Sequence, residues 1–298
     1  MSRLLNQLFI PVIAGKRAVT FAFAPTDIAS LRYWVRGDLG LFQDAEGTTP
    51  ATADGDVVGL WKDQSVNAYD VSQATTEKKP LLKLAANGIN GKPAVLFDGS
   101  NDILVRTVAN WLSDDSAGSV FVVLRLAATT DYQDFLASAD EGSTNYYVMF
   151  SPYYNAGSYG QKFRVMQKNN DTADLIYSTD INVASKTYIG TIRSNGSAYT
   201  IRRNGVDQAL NAETGSNTGD WFADAANRDN FSVGAVKRSS EAYFLNGLIA
   251  EIIVCGENLT GDDLVNMETY LADRYGITLV EYSTNFDGGS ADNVRWEE

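Results

Sequence analysis

The chain has 298 residues, with 24 Lys+Arg against 37 Asp+Glu, a formal net charge of −13, one cysteine and no histidine. Without imidazole there is no Ser-His-Asp triad, no Cys-His pair and no histidine base, and a lone cysteine makes neither an intrachain disulfide nor a thiolate zinc site. The acidic balance argues against a nucleic-acid partner, which needs clustered Lys and Arg, so carboxylate chemistry, oxygen-ligated metals and binding through surface shape remain.

Residues 1–25 carry no acidic side chain and hold Arg3, Lys16 and Arg17. Val19, Phe21 and Phe23 alternate loosely up to Pro25, the pattern of an extended segment. The longest apolar run, residues 9–15, falls far short of the ~20 residues that a membrane span needs. Asn6, Gln7 and Pro11 interrupt the apolar stretch and no small-x-small cleavage site follows, so the segment reads as a retained arm rather than a secretory signal. Its Leu4, Leu5, Leu8, Phe9 and Ile10 would be the residues that dock on a partner, because that much apolar surface has to be covered.

Short β-branched and aromatic runs follow, at residues 119–125, 146–150, 162–166, 187–192, 199–203, 231–234 and 248–254. Turn signals separate them, Asn195-Gly196 and Asn204-Gly205 among them, with Asn246-Gly247 just before the last. Many short strands divided by turns indicate an all-β, two-sheet antiparallel sandwich. One helix is expected after a Thr260 cap, with Leu264, Met267, Leu271 and Tyr275 on one stripe and Gly276 as its stop. Residues 281–298 read as a polar, acidic tail, which leaves residues 26–280 for the sandwich.

Several residues are candidates for chemistry. Asp98, Asn101 and Asp102 crowd one short loop, which suits either a Ca²⁺ ion or an Asx turn that binds its own backbone. Glu251 lies within an apolar strand, as either a raised-pKa acid or a paired carboxylate. Trp111 and Trp221 sit in polar surroundings and are candidates for stacking on sugar, with core packing as the alternative. Tyr153 and Tyr154 belong to a tyrosine-rich stretch that fits either a recognition loop or strand pairs. Cys255 ends an apolar strand and reads as a small buried hydrophobe.

The run Trp61-Lys62-Asp63-Gln64-Ser65, followed by Asn67-Ala68, Gln73-Ala74 and residues 90–102, resembles concanavalin A-like lectin/glucanase domains of the laminin-G-like type. So does residues 245–254 followed by the helix ending at residues 270–277, and the matching segments span residues 31–279. The resemblance implies a jelly roll closed by the late strand and helix. The glucanase branch carries Glu-x-Asp-x-Glu on one strand, whereas Ile252, Ile253 and Val254 follow Glu251 here. A glycosidase needs two suitably spaced carboxylates, and a second is not evident, so no enzyme is expected.

Domains of this type are frequent in bacteriophage virion proteins and on bacterial surfaces. The resemblance therefore implies a non-enzymatic structural or binding subunit of a virion (capsid decoration, head fibre or tail) assembled in the host cytoplasm. The arm would dock on other virion subunits or on copies of the chain itself. The alternative is a carbohydrate-binding module of a bacterial surface protein that recognises a host-surface glycan. A glycoside hydrolase is the third reading. No cofactor is expected beyond Ca²⁺, and neither a nucleic acid nor a membrane is an expected partner.

Overall fold

The computed structural model describes residues 23–127, 132–153, 162–180 and 182–280. The arm residues Leu4, Leu5, Leu8, Phe9 and Ile10 and the tail 281–298 lie outside the described residues. In chain order the longer strands are β1 (Leu31–Arg36), β2 (Ala94–Asp98), β3 (Leu104–Thr107), β4 (Gly118–Leu126) and β5 (Leu136–Ala139). They continue as β6 (Tyr146–Tyr153), β7 (Lys162–Asn169), β8 (Thr172–Ser178), β9 (Thr187–Ser194) and β10 (Tyr199–Arg203). The last are β11 (Leu210–Thr214), β12 (Asn230–Val233) and β13 (Asn246–Cys255), followed by the helix α1 (Gly261–Tyr275).

These strands form two large antiparallel sheets, the sandwich expected from the sequence. The eight-stranded sheet runs β10–β9–β4–β13–β2, flanked by the short strands Val206–Asp207 and Leu81–Lys83, and β1 also pairs with β13. The ten-stranded sheet runs β11–β8–β7–β6–β5–β12–β3 and continues through Val71–Ser72, Leu60–Trp61 and Leu41–Phe42. Asn204 and Gly205, at φ 49 and 80, make the positive-φ turn that closes β10 onto Val206–Asp207. Asn246-Gly247 is no turn, because both residues lie inside β13. A Cβ on Gly247 would meet the Arg125 carbonyl at 2.6 Å, so glycine is there for close strand approach.

Successive side chains of a strand face opposite ways, and β4 is buried on both faces. Val120, Val122 and Leu124 point between the sheets, where they meet Val148 and Phe150 of β6 and Phe231 of β12. Phe121 and Val123 point outward to a second apolar layer with Ile253, Cys255, Leu264, Met267, Leu271 and Tyr275. That double burial is why β4 reads as a continuous apolar run instead of an alternation. The expected stripe of α1 lies on the eight-stranded sheet, and Gly276 ends the helix at φ 59. Thr260 stands at the N-cap position in extended conformation and makes no side-chain cap bond.

Candidate functional site

A cleft of about 350 Å³ opens where the start of β1, the loop after Leu60–Trp61 and the β3–β4 connection meet. Arg32, Asn67, Tyr69, Asn110, Ser113, Asp114 and Asp115 supply its polar walls.

The loop that presents Asn67 and Tyr69 is organised by one carboxylate. Asp63 Oδ1 accepts from the backbone N–H of Trp34 at 2.9 Å and of Ser65 at 2.8 Å. Its Oδ2 accepts from Ser65 Oγ at 2.7 Å and from the Tyr69 backbone N–H at 2.9 Å. Asn67 Nδ2 donates to the Arg32 carbonyl at 2.8 Å, which ties the loop to β1. The Asp63, Ser65 and Asn67 of the family-like motif are thus the residues that fold this loop.

Arg32 enters from β1. Its Nε and Nη2 donate to Asp115 Oδ2 and Oδ1 at 3.0 and 2.9 Å, a two-pronged pair. The Asp115 hydrogen bond raises the arginine pKa and keeps the guanidinium charged. Gly256 makes room for it, because a Cβ there would lie 2.6 Å from Arg32 Nε. On the opposite wall Asn110 and Leu112 hold left-handed φ values of 48 and 57. Asparagine tolerates that region, whereas Leu112 adopts it at a cost. Turn bonds from Ser113 N to the Asn110 carbonyl and from Asp115 N to the Leu112 carbonyl, both 3.0 Å, hold the wall.

Beneath that wall lies Arg228, 1% exposed. Its Nη1 donates to the Trp111 carbonyl at 2.8 Å and to Ser138 Oγ at 2.7 Å. Its Nε donates to the Ala225 carbonyl at 2.8 Å and its Nη2 to the Phe222 carbonyl. Burial draws its pKa down to about 10.

The structure corrects the expectation for both tryptophans. Trp111 is 1% exposed and stacks on Phe231, with centroids 4.0 Å apart and planes at 15°, while Tyr33, Tyr69 and Phe222 meet it edge-on. Trp221 is 0% exposed and packs against Phe150 and Phe222, seated where a Cβ on Gly118 would collide with its Nε1 at 2.3 Å. Neither indole offers a ring face to a sugar, since aromatics of this size dominate core energetics wherever they can be enclosed.

The Asp98 loop is an Asx turn. Asp98 Oδ1 accepts from the backbone N–H of Ser100 and Asn101 at 2.7 and 3.2 Å, and Asp102 Oδ2 accepts from Asp98 N at 2.9 Å. Those oxygens face their own backbone rather than a shared point. Among the described residues no group of three or more acidic or cysteine side chains is placed to hold a metal. Burial and the neighbouring Asp98 charge push the Asp102 pKa up to about 6. Tyr153 closes β6 opposite Lys162, and Tyr154 lies outside the described residues.

Glu251 is fully enclosed. Its Oε1 accepts from Trp34 Nε1 at 2.6 Å and Tyr270 Oη at 2.9 Å. Its Oε2 accepts from Tyr275 Oη at 2.8 Å and lies 3.5 Å from Arg274 Nε. Burial raises its pKa, partly offset by those donors. It joins β13, β1 and α1. Cys255 is buried as expected, and burial pushes its thiol up to about 12.

Sequence reading had not singled out Arg32, Tyr69, Asp115 or Arg228. The signal for the cleft was the Asp63-x-Ser65-x-Asn67 spacing, a loop-building pattern whose product lies at its end. Arg32 and Asp115 are 83 positions apart, and only the fold joins them.

No protein-family model and no curated protein sequence matches the chain. Among solved structures, the sialidase of Trypanosoma rangeli in complex with sialic acid is similar with a TM-score of 0.52 and 14% identity, over 83% of this chain and 33% of that one. The CBM40 of Ruminococcus gnavus IT-sialidase gives a TM-score of 0.45 at 16% identity, over 53% of this chain and 85% of that one. The same module bound to α2,3 sialyllactose gives 0.43 at 16% identity, over 51% and 82%. The chain spans a third of the trypanosomal sialidase, and that likeness is one of fold: a two-sheet jelly-roll sandwich.

Proposed function

We propose that this chain is a carbohydrate-binding sandwich without catalytic activity, and that the Arg32–Tyr69 cleft is its glycan site. The observation that carries this reading is the set of polar atoms the cleft leaves unmatched. Among the described residues, Arg32 Nη1, the Tyr69 hydroxyl and Asn67 Oδ1 have no protein hydrogen-bond partner. An open cleft with a few convergent donors and acceptors is the usual form of a small-ligand site.

Binding fits this site better than turnover. Glycoside cleavage needs two spaced carboxylates, one of them free to exchange a proton. Both oxygens of Asp115 accept from Arg32, and Glu251 is sealed under α1. The setting we propose is the one implied by the sequence resemblance, a bacteriophage particle that carries this domain as a glycan-binding subunit. A mass-spectrometric inventory of purified particles checks that part.

The test of the site is calorimetry on the full chain with glycans picked from an array. The folded protein binds at least one glycan, and Arg32→Ala and Tyr69→Phe weaken that binding. A folded protein that binds none, or whose binding ignores both substitutions, overturns the reading.

A further inference from the structure

We infer that the cleft takes an uncharged glycan and excludes acidic sugars; this rests on the reading of the cleft as a glycan site. The walls carry one positive side chain, Arg32, and two negative ones, Asp114 and Asp115. The carboxylate of Glu257 also acts on Arg32. Arg106 lies against the Tyr69 ring, 5.5 Å from its centroid, and is not one of the cleft walls. A carboxylated or sulfated sugar therefore enters a site of net negative charge, on a chain whose total is −13.

The geometry of Arg32 adds to this. Arginine recognises a carboxylate by presenting a two-nitrogen edge. The Nε/Nη2 edge of Arg32 is already closed by Asp115. What remains is the Nη1/Nη2 edge of a guanidinium whose charge Asp115 already balances, and the hydroxyls of a sugar can accept from it. The acceptors point the same way. Asn67 Oδ1 and the Asp114 carboxylate need a ligand that donates, and a bare anion only accepts. A sugar hydroxyl does both, so an uncharged polyol satisfies both kinds of wall atom.

The experiment is an array of neutral, sialylated, uronic-acid and sulfated glycans probed with the full chain, followed by calorimetry at low and high salt. The inference expects binding confined to neutral glycans, weakened by Tyr69→Phe and nearly unchanged by salt. In Asp114→Asn the acidic counterpart of the bound glycan gains about fivefold in affinity, the scale of one exposed like-charge contact. Acidic glycans bound as tightly as neutral ones, in a manner lost with Arg32→Ala, overturn the inference and leave the glycan site standing. No gain in Asp114→Asn also overturns it, since charge would not be what excludes the anion. A folded protein that binds no glycan at all overturns the underlying reading instead.

Discussion

The side chain of Asp63 accepts the backbone N–H of Tyr69 at 2.9 Å, and that bond sets the course of the loop on which Asn67 and Tyr69 stand. Three further donors, Trp34 N, Ser65 N and Ser65 Oγ, converge on the same carboxylate. Asp63→Ala leaves these groups without their acceptor in a largely enclosed position. Each buried donor left unpaired costs on the order of 1–3 kcal/mol, so a loss of about 3 kcal/mol is expected, together with loss of glycan binding. Urea unfolding and calorimetry check both. A variant that loses less than about half a kcal/mol would show that the loop holds its shape without the carboxylate.

Arg228 has a different role, as a buried cation that gathers carbonyls instead of pairing with a carboxylate. Arg228→Ala frees the carbonyls of Trp111, Phe222 and Ala225 and opens a void under the cleft wall. A loss of about 3–5 kcal/mol is expected, because each buried carbonyl left without its donor costs on the order of 1–3 kcal/mol. Arg228→Lys keeps the charge but not the fork, and is expected to recover only part of the loss. Thermal melts of the three proteins provide the comparison.

A pH effect arises on the outward face of the ten-stranded sheet. There Asp134 Oδ1 accepts from the Ser151 hydroxyl and from Arg164 Nη2, the latter at 3.3 Å. Among the described residues its buried Oδ2 has no hydrogen-bond partner. Burial raises its pKa from 3.8 to about 6, with Arg164 and Ser151 offsetting part of the rise. A carboxyl that holds its proton more tightly folded than unfolded makes folding take up a proton between those two values. Its contribution is therefore most favourable below about pH 4 and declines as pH rises to about 6, by about 3 kcal/mol in all. The melting temperature is expected to be higher at pH 5 than at pH 7 on this account. Asp134→Asn should shrink that difference, leaving the part due to Asp102, Glu251 and Asp220, whose pKa values burial also raises. An undiminished difference in Asp134→Asn would assign the effect to other groups.

Leu271 tests the helix. It is 1% exposed between α1 and the eight-stranded sheet. Leu271→Ala is expected to cost about 2–5 kcal/mol, measured by chemical denaturation. A cost under about half a kcal/mol would mean that the helix does not pack there.

Much of the frame was legible in the sequence. Residues 199–203 form β10 as expected, and the expected runs at 119–125, 146–150, 162–166, 187–192 and 248–254 lie within β4, β6, β7, β9 and β13. Apolar periodicity reports burial, and these segments are buried. β8 went unread because Ala173 and Asp174 near its start are weak strand formers. Asp174 is there to bind, accepting from Ser216 N at 2.7 Å and Thr218 Oγ1 at 2.8 Å. The tryptophans were misplaced for a related reason. Polar neighbours in sequence describe a loop, yet Trp111 reaches out of its loop into the inter-sheet core. Local composition locates the backbone, not the end of a long side chain. The cleft itself depended on Arg32 meeting Asp115, a long-range pairing that no local pattern encodes.

Strand β13 pairs with β4 on one side and with β2 and β1 on the other, so residues 246–255 form the middle of a sheet whose other members are made long before. During synthesis β1, β2 and β4 each keep an open edge until residues 246–255 have been made. The β4–β9–β10 pairings can form earlier, but β1, β2 and β4 are joined into one sheet only when β13 is released. Such non-local closure is slow and leaves apolar edges exposed meanwhile. For this protein the vulnerable interval is the one before β13 pairs, so protection of that intermediate bears on yield alongside the stability of the finished sandwich.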